Sequence, residues 1–298
     1  MSETVVRIIK NWTWPDLARQ TPGGTGRWNG VRFELGGDGP CDYGVVLNQA
    51  PPGTMITCPP EHVWLLLQEP PNDHFRAMHR GSTVYSRVFT TDTSLERARY
   101  VQTHPALPWH VDRDYDWLKG CAPPEKTRAV SCITSAKAIF EDHRRRLRFL
   151  ADVRRQVPFD LFGRGFASVS DKWDVLAPYR FALVVENFAN PLYWSEKLAD
   201  PLLAWTVPIY AGCTNITRWF PEDAIIQVDM ADPDAVDKIE AAVNDERGWK
   251  RRMDAVAEAR RRILDEYNMF AVITQNIAED NQPASAARPI RLSDRAAA

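Results

Sequence analysis

A strand–loop–helix–strand pattern at residues 179–212 constrains the fold of this 298-residue chain more than any other stretch. It opens with an apolar run at residues 181–185, whose length and composition are typical of a buried strand. A polar loop follows, then an amphipathic segment that starts at Ser195, and then a second short apolar strand. The pattern predicts a βαβ unit. Because ligands of open α/β sheets bind at the carboxyl ends of the strands, Glu186 and Asn187 are expected at a ligand-binding edge.

Strand and helix patterns alternate outside this unit as well. The clearest strand of the first half lies at residues 62–68, and the second half closes with a long helical pattern at 247–279. A proline-containing stretch at 119–126 separates the halves. Strands spaced by helices imply crossover connections and parallel sheets, so we predict an α/β fold with two Rossmann-like domains facing across a cleft. The domains are placed at residues 1–120 and 121–280, followed by a polar tail at 281–298.

The composition is that of an ordinary globular protein, with 44% hydrophobic and 26% charged residues. A formal charge of −2 gives no electrostatic reason to expect nucleic acid or an anionic membrane as the main partner. The amino terminus lacks a signal-peptide pattern, and no window approaches the ~18 apolar residues of a spanning helix, so a cytoplasmic location is expected. Five cysteines without a CxxC pair fit reduced thiols in that compartment: Cys41, Cys58, Cys121, Cys132 and Cys213.

Two short motifs carry little weight. Residues 163–165 (GRG) follow a strand and resemble the start of the dinucleotide-binding pattern GxGxxG, but Ser168 stands where the third glycine belongs. An NAD-dependent epimerase or dehydrogenase would fit two Rossmann-like halves, but the chain lacks its motif. The three aspartates at 112–116 (DRDYD) lack the glycine of an EF-hand and are better interpreted as a solvated acidic turn. With no His/Cys cluster at ligand spacing, we predict no metal site.

A carboxylate and an ammonium group at a predicted helix start, Glu196 and Lys197, carry more specific chemistry. The carboxylate can accept hydrogen bonds from ribose hydroxyls, while the lysine and the free amides of the helix can hold phosphate oxygens. The arginine-rich segment 143–148 (HRRRLR) could add an inward-facing guanidinium, whose fork suits phosphate. These patterns alone leave two interpretations open, a nucleotide-sugar site and a solvated surface ion pair.

The segment ENFANPLYWSEKLADPLLAWTVPIYAG, residues 186–212, resembles the donor-binding motif of the α-1,3/4-fucosyltransferases, which form glycosyltransferase family 10. That motif has FEN, six positions from the Asn to a Tyr, then x-[ST]-E-K, a helix, and [AG]xxVP[VI]xxG. Asn187 and Tyr193 have this spacing, and Ser195 takes the position of the usual threonine.

Weaker similarity extends the resemblance beyond the donor motif. Residues 69–72 (EPPN) are similar to the family's E-[ST]-P-N, and residues 143–165 to its arginine-bearing helix. The chain departs from the pattern at Pro70, where the family has a small hydroxyl residue, and at Val185, where it has Phe. These departures bear on fine specificity more than on the reaction.

The resemblance implies a role for each matching residue. Lys197 would contact the phosphates of GDP and Glu196 the ribose, while Arg146, preferred to its arginine neighbours, would be the second phosphate contact. Glu69, outside the donor motif, would be the general base. The implied donor-binding residues are Arg146, Glu186, Asn187, Tyr193, Ser195, Glu196 and Lys197, and the implied catalytic residues are Glu69, Arg146 and Lys197.

By this resemblance we expect an inverting glycosyltransferase of the GT-B type, with residues 1–120 on the acceptor side and 121–280 binding the donor. It would transfer L-fucose from GDP-fucose to a hydroxyl of an oligosaccharide or lipid-linked glycan, without a cofactor. Non-essential stimulation by a divalent metal and peripheral membrane contact are left open. Two alternatives also stay open: a transferase for another nucleotide-sugar donor, and an inactive homologue that binds a glycan or nucleotide.

Overall fold

The computed structural model describes residues 3–37 and 39–292. The strands are β1 (Thr4–Ile9), β2 (Arg27–Trp28), β3 (Val31–Leu35), β4 (Tyr43–Leu47), β5 (Met55–Cys58), β6 (Val63–Leu66), β7 (Arg87–Thr90), β8 (Tyr100–Gln102), β9 (Arg128–Ile133), β10 (Asp160–Phe162), β11 (Tyr179–Val185), β12 (Val207–Ala211), β13 (Ile226–Gln227) and β14 (Arg288–Arg291). The α-helices are α1 (Arg76–Arg80), α2 (Tyr115–Gly120), α3 (Glu141–Gln156), α4 (Glu196–Leu203), α5 (Ala235–Asn244), α6 (Gly248–Arg251), α7 (Met253–Asp265) and α8 (Met269–Ala278).

The chain forms two compact units, each with its own parallel-stranded sheet. Unit 1 consists of Met1–Pro108, Asp114–Asp116 and Tyr267–Ala298, and unit 2 of Trp109–Arg113 and Trp117–Glu266. The second domain was predicted to run from residue 121 to 280. The structure differs at the carboxyl-terminal end, because the chain returns to unit 1 at Tyr267.

The sheet of unit 1 positions the loop that carries Glu69. Within the described residues it has seven strands in the order β2-β3-β1-β4-β6-β7-β8, parallel except for the β2–β3 pair. Strands β4 and β6 are buried along their whole length, as expected for parallel strands covered on both faces. Leu47 pairs with Leu66, so β4 and β6 end together. The strand predicted at residues 62–68 is β6, and Glu69 follows its carboxyl end.

The sheet of unit 2 has the order β10-β9-β11-β12-β13, and all its pairs are parallel. Counted within the unit, this is the doubly wound order 2-1-3-4-5, in which the connections change direction between β9 and β11. Ligands of such sheets bind at the carboxyl edge of that switch point. The predicted strand at 181–185 is the centre of β11, which is almost entirely buried. The edge beyond Val185 is therefore the place where a ligand is expected.

Helix α4 begins at this edge and is fixed at both ends. The side chain of Ser195 caps its amino terminus and accepts a hydrogen bond from the Lys197 N–H (3.3 Å). At the other end, the buried Arg260 guanidinium donates to the carbonyl of Leu203, and Lys126 Nζ donates to the carbonyl of Ala204 (3.0 Å). These donors satisfy carbonyls that have no partner within the helix, and the charge of Arg260 complements the helix dipole.

Lys126 makes the stability of unit 2 depend on pH. Burial, reinforced by the neighbouring charge of Arg260, lowers the pKa of Lys126 to about 7, well below its value of 10.5 in an unfolded chain. Between these values the unfolded state binds more protons, so the free energy of unfolding should rise with pH, by at most about 1.4 kcal/mol per pH unit from this group. In urea unfolding from pH 7 to pH 10, wild type should gain stability relative to Lys126→Met. Parallel profiles for the two proteins would show that the pKa of Lys126 is not lowered.

Gly163 holds the loops that follow β9 and β10 together. Its backbone φ of +112° is one that residues other than glycine rarely adopt. A Cβ placed there would lie 2.0 Å from the carbonyl oxygen of Thr134. Gly163→Ala should therefore lower the free energy of unfolding by at least about 3 kcal/mol in urea denaturation, since both the strained φ and the backbone clash must be relieved. Gly120→Ala, in the same unit and with no atom within 4 Å of the added Cβ, should change it by less than about 0.5 kcal/mol. Equal losses for the two variants would contradict this.

Two predictions for the carboxyl-terminal region are wrong. The single helix expected at residues 247–279 is divided into α6, α7 and α8. Asn268 begins α8: its side-chain oxygen accepts from the Phe270 N–H (3.0 Å), while its amide donates to the carbonyl of Gln20 (2.7 Å). The expected tail contains β14, which pairs antiparallel with β5, and Leu292 after it is fully buried. The rest of the tail, residues 293–298, lies outside the described residues.

Candidate active site

The seven predicted donor-binding residues lie on the elements that meet at the carboxyl edge of unit 2. Glu186 and Asn187 directly follow β11, Arg146 projects from α3, and Ser195 begins α4. The parallel sheet explains the convergence, because β9 and β11 end at the same edge and α3 and α4 follow strands of that sheet. Glu69 belongs to unit 1.

Glu186 joins the end of β11 to the start of α4 and is almost completely buried, with 2% exposure. One carboxylate oxygen accepts hydrogen bonds from the Ser195 N–H (2.9 Å) and hydroxyl (2.6 Å), and the other accepts from Lys197 Nζ (3.2 Å). A Cβ on Gly212 would lie 2.6 Å from the Glu186 side chain and 2.4 Å from the Tyr210 hydroxyl, so this packing requires glycine. The buried carboxylate of Glu186 thus fixes the positions of Ser195 and Lys197.

Lys197 is held in its charged form. Burial opposes the charge, but the carboxylates of Glu186 and Glu196 outweigh it and raise the pKa of the ammonium above its usual range. Its Nζ lies 3.2 Å from Glu186 and 3.9 Å from Glu196, and the side chain keeps 27% exposure. A fixed, partly exposed ammonium beside the first turn of a helix is suited to bind phosphate oxygens.

Glu196 stays ionised in a largely buried position, with 16% of its side chain exposed. Burial favours the neutral acid, but the charges of Lys197 and Lys172 outweigh it and lower the pKa of the carboxyl group. Both lysines, and the His110 ring, approach the same oxygen at 3.8 to 3.9 Å, beyond hydrogen-bond distance. That oxygen can therefore still accept hydrogen bonds from the hydroxyls of a ligand.

Arg146 is the member of the arginine run that points inward. It is 2% exposed, donates to Ser135 O (2.8 Å) after β9, and donates to the side-chain oxygen of Asn187 after β11. It therefore spans the switch point of the sheet. Its buried Nε has no hydrogen-bond partner among residues 3–37 and 39–292. Arg144 is half-exposed and paired with Glu141 on the helix surface.

Tyr193 lies in the loop between β11 and α4. Asn190 shapes this loop, because its side-chain oxygen accepts hydrogen bonds from the N–H groups of Leu192 (2.9 Å) and Tyr193 (2.7 Å). The Tyr193 ring meets Phe188 edge to face, with centroids 6.2 Å apart. The ring is 6% exposed, so it packs inside the loop at this edge of unit 2.

The loop that carries Glu69 in unit 1 is fixed by its backbone. The Glu69 N–H donates to Asn48 Oδ1 (3.3 Å), and its carbonyl accepts from His79 Nε2 (2.9 Å). Because a carbonyl can only accept, Nε2 carries the proton, and His79 Nδ1 accepts from the Thr90 hydroxyl (2.6 Å). Burial lowers the pKa of His79, which keeps it neutral near pH 7. The Glu69 side chain is half-buried.

Sequence reasoning missed three residues around Glu196. Asp200 is 1% exposed and lies one helical turn after Glu196, and it accepts hydrogen bonds from Lys172 Nζ (2.6 Å) and the His110 N–H (2.7 Å). A carboxylate inside the apolar sequence of α4 was the signal that could have revealed it. Lys172 and His110 lie outside the donor motif, and no spacing in the sequence links them to it.

Within the described part of the chain, no group of three or more His, Cys, Asp or Glu side chains is arranged to hold a metal ion. Two of the aspartates at 112–116 instead make hydrogen bonds to distant segments: Asp116 accepts from the Gly23 N–H (2.6 Å), and the Asp112 N–H donates to Asp171 (2.9 Å). That the chain has no metal site stays a prediction. None of the helices described is both long and apolar enough to cross a bilayer.

The fold is that of the GT-B glycosyltransferases. A crystal structure of an α1,3-fucosyltransferase matches with a TM-score of 0.56 at 14% identity, covering 94% of this chain and 92% of that one. The DNA-modifying enzyme β-glucosyltransferase matches with a TM-score of 0.51 at 9% identity, covering 93% and 100%. At these identities the likeness establishes the fold alone, and the predicted fold class is confirmed.

The sequence assigns one segment of the chain to a family. Residues 123–247 match the model described as glycosyltransferase family 10 (fucosyltransferase) C-term, so this segment belongs to that family. Human 3-galactosyl-N-acetylglucosaminide 4-alpha-L-fucosyltransferase FUT3 is 28% identical over 179 residues, covering 56% of this chain and 45% of that protein. Gorilla 4-galactosyl-N-acetylglucosaminide 3-alpha-L-fucosyltransferase FUT6 is 35% identical over 89 residues, covering 28% and 25%. The chain spans less than half the length of these relatives. The predicted family is confirmed for residues 123–247.

Proposed function

We propose that the chain transfers L-fucose from GDP-fucose to a hydroxyl group of a glycan acceptor, with inversion at the anomeric carbon. The arrangement of Lys197, Glu196 and Arg146 at the switch point of unit 2 carries the proposal. It combines two cations with an ionised carboxylate at an edge where α/β proteins bind ligands. A nucleoside diphosphate sugar needs that combination, because its pyrophosphate is anionic and its ribose presents hydroxyl donors.

Each donor-site residue then has a role that its contacts support. Lys197, kept charged by Glu186, binds phosphate oxygens, and Arg146 adds its guanidinium, whose Nε has no protein acceptor among the described residues. Glu196 accepts hydrogen bonds from the ribose. Asn187 orients Arg146, and Ser195 holds Glu186 and Lys197 in place. Tyr193, in the loop between β11 and α4, lies beside the donor.

The same cations favour departure of GDP. As the acceptor oxygen attacks the anomeric carbon, the bond from that carbon to the phosphate oxygen breaks and its electrons pass to the pyrophosphate. Charge that develops there is stabilised by cations already fixed in a partly buried site, which need not reorganise during the reaction. Lys197 is fixed by Glu186, and Arg146 by Ser135 and Asn187.

An alcohol is a poor nucleophile while protonated, so the reaction also needs a base. We assign this role to Glu69, because the hydrogen bonds of its backbone to Asn48 and His79 fix the loop at the carboxyl edge of β6. The base would take the proton from the acceptor hydroxyl as the new bond forms. The neutral His79 donates to the Glu69 carbonyl and so fixes the backbone from which the proposed base projects.

The test is a transfer assay with GDP-fucose and a panel of oligosaccharide and lipid-linked acceptors that contain N-acetylglucosamine or glucose. Release of GDP should increase when the right acceptor is added, and NMR of the product should show an α-linked fucose formed from the β-linked donor. A β-linked product would contradict inversion. Transfer from another nucleotide sugar alone would favour the alternative donor, and tight binding of GDP-fucose without turnover would favour an inactive homologue.

A further inference from the structure

Lys172 is the cation next to Glu196 that neither the donor motif nor the proposed phosphate contacts use. Its Nζ lies 3.8 Å from the Glu196 carboxylate and 2.6 Å from Asp200, and 22% of its side chain is exposed. The short bond to Asp200 fixes the ammonium group, and the longer contact places its charge beside Glu196 without occupying a hydrogen-bonding position on it.

Asp200 anchors this arrangement to the rest of unit 2. Besides Lys172, its carboxylate accepts from the N–H groups of His110 (2.7 Å) and Val111 (3.4 Å). Asp171, the residue before Lys172, accepts from the Asp112 N–H (2.9 Å) and pairs with Arg113 (2.6 Å). Two adjacent residues thus attach the 110–113 segment to α4, and the position of Lys172 follows from contacts on both sides.

Lys197 alone does not hold the Glu196 carboxylate, because it also faces other anions. Lys197 already faces the Glu186 carboxylate at 3.2 Å, and in the proposed complex it also faces the donor phosphates. Its charge is then shared among several anions. Burial lowers the pKa of His110, so near pH 7 the ring is neutral. Lys172 is the remaining cation within 4 Å of Glu196 among the described residues.

We propose that Lys172, held by Asp200, is a positioning residue that keeps the Glu196 carboxylate directed at the ribose hydroxyls of the nucleotide. The inference rests on the proposed function, in which Glu196 accepts hydrogen bonds from the ribose. Lys172 itself acts through Glu196 and need not touch the donor. It therefore contributes to discrimination between ribose and deoxyribose more than to phosphate binding.

The test compares the binding of GDP and 2′,3′-dideoxy-GDP by isothermal titration calorimetry. Wild type should prefer GDP by about 10- to 100-fold, the effect of one or two hydrogen bonds to a charged acceptor. Because Lys172→Met alone would leave Asp200 buried without its cation, the main variant is Lys172→Met/Asp200→Asn, in which the amide oxygen still accepts from the His110 N–H. Its preference for GDP should fall below about 3-fold, as in Glu196→Gln, while Lys172→Arg should retain most of it.

The matched control is Lys238→Met/Asp232→Asn, which removes a Lys–Asp pair at the surface of the same unit and should keep the wild-type preference. General damage to the site would weaken the binding of both nucleotides equally. The ratio of their two dissociation constants therefore reports on the contact between Glu196 and the ribose. A double variant that folds, binds GDP and keeps the full preference would overturn the role of Lys172. A wild type that binds both ligands equally would overturn it as well, since Glu196 would not contact the ribose. A wild type that binds neither would instead overturn the proposed function.

Discussion

Replacing Lys197 with methionine should weaken GDP binding at least about 30-fold, because the ammonium is held by Glu186 and in the proposed complex faces the phosphates. Its pKa is raised by Glu186 and Glu196 against the effect of burial, so it is charged at every pH at which the protein would be assayed. Loss of a buried or partly buried charge contact typically costs about 2–5 kcal/mol, which corresponds to about 30- to 5,000-fold in affinity. Calorimetric titration of wild type and Lys197→Met with GDP measures this loss of affinity directly.

The single variant has a second effect that must be separated from the first. Glu186 has no exposed side-chain surface, and without Lys197 its carboxylate would be buried without a cation. The variant Glu186→Gln/Lys197→Met removes both charges, and the glutamine oxygen can still accept from Ser195. This variant should unfold at a temperature close to that of wild type and still fail to bind GDP. Binding within 5-fold of wild type would show that Lys197 does not contact the phosphates.

Replacing Glu69 with glutamine should lower kcat by about 10²- to 10⁴-fold, the usual contribution of a general base. The amide has nearly the same shape but cannot take the proton from the acceptor hydroxyl. The affinity for GDP should stay within about 2-fold of wild type, because the donor contacts belong to unit 2. Steady-state kinetics with saturating donor, together with calorimetry, separate the two quantities.

Glu96→Gln is the matched control, since Glu96 is an exposed carboxylate of the same unit and its replacement should leave kcat unchanged. Near-normal turnover by Glu69→Gln with intact donor binding would remove Glu69 from the role of base. Asp92 would then be the carboxylate to test next, because it follows β7, the neighbour of β6 in the sheet. Its side chain, however, already accepts hydrogen bonds from the Ser94 N–H (2.9 Å) and hydroxyl (2.6 Å).

The convergence of the proposed donor residues could be predicted from sequence because most of them are close together in the chain. Glu186 to Lys197 form one strand–loop–helix unit, and the periodicity of the apolar residues places them at a sheet edge. Arg146 could be selected by its spacing in the family pattern, and the structure gives the physical reason: it faces inward, whereas Arg144 lies on the helix surface. The match at residues 123–247 covers this region and does not reach Glu69.

The contacts around Glu196 could not be predicted in the same way. Lys172 and His110 reach it from segments 24 and 86 residues earlier, by the difference in residue numbers, and only the folded chain brings them together. The order of the strands in the sheet could not be predicted from sequence for the same reason. That β9 lies beside β11, and so defines the switch point, depends on pairing between distant segments that alternation of strands and helices leaves undetermined.

The errors at the carboxyl terminus have a local cause. A short polar strand such as β14 has little hydrophobic pattern, and its pairing with β5 depends on backbone hydrogen bonds, which every sequence can form. Asn268 interrupts the final helix because its side chain binds the Phe270 N–H and the distant Gln20 carbonyl. Seen in the sequence alone, a single asparagine in a long helical pattern predicts only a modest cost. The cytoplasmic location expected from the sequence stays a prediction.

The central claim is that the edge of unit 2 binds a guanine nucleotide sugar, and the most direct test is a calorimetric titration of wild type. GDP-fucose, GDP-mannose and UDP-glucose should be compared under identical conditions. We expect GDP-fucose to bind with a Kd at least about 10-fold lower than that of GDP-mannose, with no measurable binding of UDP-glucose. Failure to bind either guanine nucleotide sugar would contradict the claim.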